Sequence, residues 1–335
     1  MTRPRFSIII PSFNQADYLE QAICSVSDQL GHEAELIVMD GGSTDGTAEL
    51  LTACADQLSH VHSAWDAGPN EAIGRGLRHA TGSHIGVLQA DDTYEPTALR
   101  RVAKAIERAG SADAGAWITG GVISIDAFGD VIDDPSASRP GTSGTALATN
   151  FDTADTADTA DADALAGIGR CILERPFAGN LSSSFFSRSM LLRAGGFDAA
   201  LHHDDGLDLA LRLHRRGSRP RRVPGTLTRR RRHAMSATAS RPLPIARERL
   251  DIIEAHLATL PLHQRLSLQG AVAERRVLLE HAARDSGHSD AHADRWRVEL
   301  SKFDWWQDPR RRAELLASRV FGHRGSDVAS LQRAA

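Results

Sequence analysis

From Phe6 to Ile125 the chain alternates short apolar runs with amphipathic segments, and this rhythm constrains the fold more than any other feature. An apolar run followed by apolar residues at helical spacing is typical of a strand that leads into a helix. The predicted strands are Phe6–Ile10, Glu35–Met39, His60–Trp65, His84–Gln89 and Trp117–Ile125. The predicted helices between them are Ala16–Gln29, Thr47–Ala55, Asn70–Ala80 and Pro96–Ala109. This order predicts an α/β fold with a doubly wound, mainly parallel sheet flanked by helices.

Carboxylates stand at the ends of two predicted strands. Asp40 follows the second strand, and Asp91 and Asp92 follow the fourth. Ligands bind at the carboxyl ends of the strands in doubly wound sheets, so we expect these side chains at a ligand site. Adjacent carboxylates repel each other unless a positive charge neutralises them, and a divalent cation carrying a diphosphate would do so. The pattern leaves open the alternative that Asp91 and Asp92 cap the helix that Pro96 opens.

Residues 133–166 interrupt the pattern. The segment is rich in Ser, Pro, Gly, Thr, Ala and Asp, and a three-residue tandem repeat begins at Asp152. It offers almost no apolar side chains to bury, which predicts a mobile surface insertion. A calcium-binding loop is disfavoured, because the spacing lacks the turn glycine and the bidentate glutamate of such loops.

The last part of the chain predicts a helical region at 241–335, separate from a first domain at 1–240. We expect these helices to pack on the first domain or to build a homodimer. An aromatic cluster within them favours core packing over sugar stacking or membrane contact. The predicted helices are 245–258, 262–284, 289–302 and 309–320, and the cluster is Trp296, Phe303, Trp305 and Trp306.

Composition excludes several classes of protein. The 39 Lys and Arg residues nearly balance the 43 Asp and Glu residues, which argues against a generally basic nucleic-acid binder. No apolar run approaches the roughly 20 residues that a membrane span needs. The three cysteines form no CxxC pair, so a disulfide framework and a zinc–thiolate site are both disfavoured. We therefore expect a cytoplasmic protein.

Several segments, taken in order, resemble the family 2 glycosyltransferases of the GT-A fold. They are Ser7–Gln15, Leu19–Val26, Glu35–Thr47, Trp65–Gly76, Ala80–Asp92, Gly195–Asp198, Leu207–Leu213 and Arg230–Thr238. The resemblance covers 5–130 and 178–238. It implies an inverting transfer of a sugar from a UDP-, GDP- or dTDP-sugar to a hydroxyl of a glycan or lipid-linked acceptor, with Mn²⁺ or Mg²⁺ as cofactor. It also implies a place in surface polysaccharide or glycoconjugate synthesis, in the cytoplasm or peripherally at the inner face of a membrane.

The resemblance implies roles for individual residues at the donor site. The main chain around Pro11 and Ser12 would border the nucleotide, and Asp40 would hydrogen-bond the base. Asp66 and Arg75 would line the nucleotide and diphosphate pocket.

The same resemblance assigns the residues around the diphosphate. Asp91 would contact the ribose, and Asp92 would coordinate the metal. His233, with Arg231 or Arg232, would lie near the metal or the leaving phosphates. The alternative for this basic run is a solvated face or a contact with an anionic membrane surface.

The catalytic base is where this chain departs from the family pattern. Relatives carry an acidic pair shortly after the G-G-F-D turn, and ungapped alignment places Gly206 at the position of the base. Asp205, one position earlier, is the first candidate and Asp204 the second. Two alternatives stay open: a member that binds nucleotide without turnover, and a nucleotidyltransferase. The latter is disfavoured because no Gly-rich loop bearing Arg or Lys follows the first strand.

Overall fold

The computed structural model describes residues 5–30, 34–109, 117–132, 181–203, 205–236 and 240–260, with Val272 and Arg276. The strands are β1 (Phe6–Ser12), β2 (Ala34–Asp40), β3 (His60–Ser63), β4 (His84–Val87), β5 (Thr93–Tyr94), β6 (Trp117–Ile125), β7 (Ser184–Ser187) and β8 (Pro220–Arg231). The helices are α1 (Ala16–Leu30), α2 (Thr47–Ala53), α3 (Pro69–His79), α4 (Ala98–Ala109), α5 (Arg188–Arg193), α6 (Asp205–Arg215) and α7 (Pro242–Ala258). The predicted insertion at 133–166 and the aromatic cluster lie outside the described residues, and so do the helices predicted after residue 260, apart from Val272 and Arg276.

The eight strands form one mixed sheet in the order β3-β2-β1-β4-β7-β6-β8-β5. β3, β2, β1 and β4 run parallel to one another, which confirms the prediction for the first half of the chain. β7 is antiparallel to both β4 and β6, and β8 returns parallel to β6. β7 follows a long segment of no regular sequence pattern, so its direction could not be predicted from the pattern alone.

Helices cover both faces of the parallel strands. Ile8 of β1 points to the face where α1 packs its buried Ile23, and Ile9 points to the face where α3 packs Ile73. A sheet that is covered on both sides buries continuous apolar strands, which explains why β1 carries no alternation of polar and apolar residues. Gly76 permits the close approach of α3, because a Cβ there would lie 2.7 Å from Ile9 Cγ2.

β8 contains the buried apolar residues Val223 and Leu227. It continues through the basic run to Arg231 and pairs with the end of β6. It also pairs antiparallel with β5, Thr93 opposite Arg229, directly after the Asp91–Asp92 turn. The Asp91–Asp92 turn therefore lies beside the end of β8.

The first predicted C-terminal helix is present as α7, which packs on α6. Leu207 and Leu211 of α6 share an apolar cluster with Leu250, Ile253 and Leu257 of α7. This contact joins the C-terminal region to the rest of the fold. Across the part of the chain that the structure describes, no helix is both long and apolar enough to cross a membrane.

Candidate active site

Asp40, the last residue of β2, organises the turn that follows it. Its carboxylate accepts hydrogen bonds from the backbone N–H groups of Gly42 at 3.2 Å and Ser43 at 3.1 Å. It also accepts the hydroxyls of Ser43 and Ser63, the latter at 2.6 Å. Gly42 has φ +83°, a conformation that favours glycine. Asp40 is only 2% exposed, so a nucleobase could reach its carboxylate only if one serine hydroxyl turns away.

Asp66 lies against the same turn. A Cβ on Gly41 would come 3.1 Å from Asp66 Oδ2, and the N–H of Gly68 donates to Asp66 Oδ1 at 2.9 Å. Burial raises the pKa of Asp66, against the lowering effects of the Gly68 N–H and of Arg75. The two carboxylates predicted to line the nucleotide pocket are thus brought together.

Arg75, on α3, braces the segment that carries Asp66. Its guanidinium donates to the carbonyl of Trp65 at 3.1 Å and pairs with Glu71 at 2.5 Å. Trp65 itself is 76% exposed. Arg75 therefore lies at the predicted pocket, and its contact with a diphosphate stays a prediction.

Pro11 and Ser12 end β1 beside Asp40. The carbonyl of Ser12 accepts the N–H of Gly41 at 2.9 Å, which fastens the turn to β1. Ser12 Oγ is buried and has no hydrogen-bond partner within the described residues. Leaving a buried hydroxyl unsatisfied costs about 1–3 kcal/mol, so this oxygen is suited to a ligand that supplies the missing partner.

Asp91 and His233 face each other where β4 and β8 end. Asp91 Oδ2 lies 3.1 Å from His233 Nε2, and the other carboxylate oxygen of Asp91 meets no partner in the described part of the chain. The side chains are 19% and 5% exposed, respectively. The ring of Tyr18, from the first turn of α1, lies 4.6 Å from the His233 ring. The sequence predicts both Asp91 and His233 at the donor site, and the structure brings them into contact.

Asp92 is more deeply placed than Asp91. It is 2% exposed, and its carboxylate accepts the hydroxyl of Ser182 at 2.6 Å and the backbone N–H of Arg231 at 3.1 Å. Ser182 in turn is held through its carbonyl by the hydroxyl of Thr228 at 2.9 Å. Asp92 therefore links the β4 turn to β8 and to the turn before β7.

Arg231 points into the protein. Its guanidinium donates to the carbonyls of Asp91, Asp126 and Ala127 at 3.0–3.2 Å and to the side chain of Gln21 at 2.7 Å. These protein acceptors occupy the planar fork, so the structure shows Arg231 as an internal brace. Its predicted contact with the phosphates stays a prediction that requires these bonds to be exchanged.

Arg232, the next residue, is partly exposed, and its N–H donates to the carbonyl of Ile125 at 2.8 Å. The backbone bond aligns the end of β8 with the end of β6. Of the two arginines named as alternatives for phosphate contact, Arg232 has the more accessible side chain.

Asp205 is the first residue of α6, and Asp204 lies outside the described residues. Which of them is the base stays a prediction. The preceding loop is described up to His203, and it lies near the donor pocket: a Cβ on Gly68 would come 3.4 Å from His202 Nδ1.

Sequence reasoning missed two residues of this site. Tyr18 contacts His233, and its position in the first turn after β1 was a usable signal, because that turn lies at the carboxyl edge of the sheet. Ser182 binds Asp92 from beyond the insertion, and no local pattern marks it.

The sequence predicts the metal site at Asp92 and His233. Among the described residues, no group of three or more His, Cys, Asp or Glu side chains is arranged to hold a metal ion. The carboxylate–imidazole pair of Asp91 and His233 offers two ligand groups. Mg²⁺ is commonly bound by one or two carboxylates together with substrate phosphates, so such a pair fits an ion that arrives with a diphosphate.

The chain resembles known proteins in sequence. Residues 7–150 match the model of glycosyl transferase family 2. A PGL/p-HBAD biosynthesis glycosyltransferase of Mycobacterium bovis is 40% identical over 107 residues, which are 31% of this chain and 42% of that protein. The chain thus spans less than half the length of this curated relative.

Two solved structures share the fold. Staphylococcus aureus TarS in complex with UDP-GlcNAc superposes with a TM-score of 0.57 at 15% identity, over 81% of this chain and 72% of that one. Mannosyltransferase PcManGT from Pyrobaculum calidifontis, in complex with GDP-Man and Mn²⁺, gives 0.55 at 19% identity, over 96% and 87%. The fold is that of the GT-A glycosyltransferases. Together with the matched segment, it supports the resemblance of residues 7–150 to glycosyl transferase family 2.

Proposed function

We propose that this chain is a metal-dependent, inverting glycosyltransferase that moves a sugar from a nucleotide-sugar donor to a hydroxyl of a glycan or lipid-linked acceptor. The observation that carries the proposal is the Asp91–His233 pair, which lies at the carboxyl edge of the sheet in a chain whose residues 7–150 match family 2. A carboxylate and an imidazole at this edge can bind the divalent ion that accompanies a nucleoside diphosphate.

We assign the nucleotide pocket to Ser12, Asp40, Gly41 and Asp66. Acceptor oxygens of Asp40 and the unpartnered hydroxyl of Ser12 suit the N–H groups and hydroxyls of a nucleoside. The relatives' complexes hold UDP-GlcNAc and GDP-Man, so UDP-, GDP- and dTDP-sugars are the donors to test.

For the metal, Mn²⁺ or Mg²⁺, we assign Asp91 and His233 as the nearest protein groups, with Asp92 behind them. The second carboxylate oxygen of Asp91 is open to a ligand, whereas both oxygens of Asp92 accept protein donors. When bound, such an ion stabilises the negative charge that develops on the leaving diphosphate. Asp92 then holds the β4 turn and the end of β8 at a fixed distance, and Arg232 adds positive charge beside the phosphates.

The transfer step requires a base on the acceptor side, which we assign to Asp205 or its neighbour Asp204. The carboxylate accepts the proton of the acceptor hydroxyl as that oxygen bonds to the anomeric carbon. The bond from the anomeric carbon to the diphosphate oxygen breaks with its electron pair leaving on the diphosphate. A single displacement of this kind inverts the anomeric centre.

The setting belongs to the same proposal. We propose a role in surface polysaccharide or glycoconjugate synthesis, with residues 1–240 as the catalytic domain and 241–335 as a helical region that could form a homodimer. Within the basic run, the partly exposed side chains are Arg229, Arg230 and Arg232. These arginines and a lipid-linked acceptor would suit a cytoplasmic protein that contacts the inner face of a membrane peripherally.

One observation favours a second function. Gly206 stands where the base is expected, and this supports a protein that binds nucleotide sugars without transferring them. Turnover separates the two functions, whereas nucleotide binding is common to both.

The test is a thermal-shift panel of nucleoside diphosphates and nucleotide sugars with and without Mn²⁺, because a ligand that binds only the folded state raises its stability. We expect an Mn²⁺-dependent shift that Asp91→Asn abolishes and that the exposed control Asp56→Asn leaves intact. A shift lost in Asp92→Asn but kept in Asp91→Asn would reverse our assignment of the metal. No shift with any nucleotide would contradict the proposal.

Turnover is tested on the donor that binds. General-base catalysis contributes about 10²–10⁴-fold, so Asp205→Asn should lower kcat by that factor and leave the nucleotide Kd unchanged. Asp204→Asn tests the second candidate for the base in the same assay. A larger loss in Asp204→Asn would move the base to Asp204, and binding without turnover in the wild type would favour the second function.

A further inference from the structure

Helix α7 lies beyond the segment that matches the family, yet it binds the loop that precedes the predicted base. The backbone N–H groups of His202 and His203 donate to the two carboxylate oxygens of Glu248 at 2.7 and 2.6 Å. One carboxylate therefore accepts two consecutive main-chain donors, one on each oxygen. Hydrogen bonds to an ionised acceptor are roughly twice as strong as those between neutral groups. A surface loop is thus fixed by a residue 45 positions further along the chain.

The loop is also held from the opposite side. The carbonyl of Leu201 accepts a hydrogen bond from Asn70 Nδ2 at 2.9 Å, and Asn70 lies in the first turn of α3. This turn directly follows Asp66–Gly68, the segment at the nucleotide pocket. Asn70 is 1% exposed, and its hydrogen bond to Leu201 is partly buried. The segment Leu201–His203 therefore runs between the donor pocket and α7, with hydrogen bonds to each.

A second contact fixes α7 relative to α6. His256 Nε2 lies 2.9 Å from Asp208 Oδ1, and Arg212 donates to the same carboxylate at 2.6 and 2.8 Å. Arg212 also donates to the carbonyls of Ala194 and Gly196, in the turn after α5. His256 follows Glu248 by eight residues, about 12 Å along the helix. α7 therefore holds both the first part of α6 and the loop that leads into it.

We infer that Glu248 is a positioning residue, which fixes the main chain of His202 and His203 so that the acidic pair that follows meets the acceptor hydroxyl. The inference rests on the proposed function, because it takes Asp205 or Asp204 as the base. Asp205 is two residues beyond His203, so a displaced loop moves the start of α6. A general base must lie within hydrogen-bond reach of its proton, and a misplacement of about 1 Å costs up to about 100-fold in rate.

The first test is Glu248→Gln, which preserves the size of the side chain. Glutamine has one acceptor oxygen, and its NH₂ group would face a backbone N–H, so one of the two hydrogen bonds is lost. We expect kcat for sugar transfer to fall by about 10- to 100-fold while the nucleotide Kd stays at the wild-type value. Glu254→Gln, on the same helix, removes a charge that pairs with Arg276 and should leave both values unchanged. An unchanged kcat in Glu248→Gln, or an equal loss of nucleotide affinity, would overturn the inference.

Hydrogen–deuterium exchange gives a readout that does not depend on activity. The amides of His202 and His203 should be protected in the wild type and in Glu254→Gln, and at least one of them should exchange rapidly in Glu248→Gln. Rapid exchange of both amides in the wild type would overturn the inference whatever the kinetics. Protected amides in a protein that transfers no sugar would instead contradict the proposed function, and with it the positioning role, while leaving the hydrogen bonds themselves established.

Discussion

The parallel half of the molecule (5–92) and the α6–α7 region (201–260) hold their functional residues in different ways. In the parallel half, Asp40 and Asp66 accept N–H groups from residues two or three positions further along the chain. In the α6–α7 region, Asp208 is held by His256 and the loop before α6 by Glu248, more than 40 residues away. The turns of the parallel half are therefore held by local hydrogen bonds, whereas the second region depends on the docking of α7.

This difference explains how much could be predicted. The strand ends that carry Asp40 and Asp91 follow from local apolar runs, and the structure confirms the parallel strands that align them. The direction of β7 and the contact of Ser182 with Asp92 depend on chain that returns after a long segment without periodicity. No spacing rule connects residues so far apart.

The sequence did not predict that Arg231 points into the protein, for a related reason. A run of four arginines indicates solvated or phosphate-binding side chains, because a buried charge is costly unless it is paired. Here Arg231 lies in a strand, and carbonyl groups from the 126–127 turn satisfy it. Three of its four acceptors are backbone carbonyls, which have no residue-type signature, so the sequence could not reveal them.

The largest predicted effect comes from truncating one core residue in each of the two regions. Ile23→Ala, in α1, and Leu211→Ala, in α6, each truncate a fully buried side chain and should each cost about 2–5 kcal/mol of unfolding free energy. Their functional effects should differ. Ile23→Ala loosens the helix that carries Tyr18 and should weaken nucleotide binding, whereas Leu211→Ala should lower kcat and leave the nucleotide Kd unchanged.

Urea unfolding gives the stabilities of these variants, and calorimetric titration at a temperature where both are folded gives the Kd. The matched control is Leu192→Ala on α5, because the residue is 48% exposed and its truncation should leave stability and Kd nearly unchanged. If Leu211→Ala weakened nucleotide binding as much as Ile23→Ala, the two regions would not be separable in function.

A smaller effect is the change of folding stability with pH, to which one histidine in each of the two regions contributes. Burial lowers the pKa of His84, in β4, and of His214, in α6, each to about 4. Because the unfolded chain takes up these protons near pH 6.5 and the folded protein does not, stability should fall as the pH drops from about 6.5 towards 4. The combined loss is of the order of a few kcal/mol.

His84→Phe and His214→Phe should each remove part of this pH dependence, which urea midpoints between pH 7 and pH 4.5 would measure. The quantity compared is the slope with pH, so a constant change in stability on substitution does not interfere. His62→Phe serves as the control, because His62 is exposed. If neither buried variant altered the slope, other groups would control the loss of stability at acidic pH.

The smallest effect addresses the hydrogen bonds inside the parallel half. Ser63 donates its hydroxyl to Asp40 at 2.6 Å, and in our proposal this hydroxyl competes with the N–H of a nucleobase for the same oxygen. Ser63→Ala should therefore tighten nucleotide binding by a few-fold, equivalent to about 0.5–1 kcal/mol, at a similar cost in stability. The control is Ser59→Ala, because the Ser59 hydroxyl, just before β3, accepts the N–H of Leu36 in β2 and does not contact Asp40. This variant should lose stability without any gain in affinity. Weaker nucleotide binding in Ser63→Ala, measured by calorimetry, would mean that Ser63 helps to bind the nucleobase and does not compete with it for Asp40. The local turn of the parallel half would then be already in its binding conformation before the donor arrives.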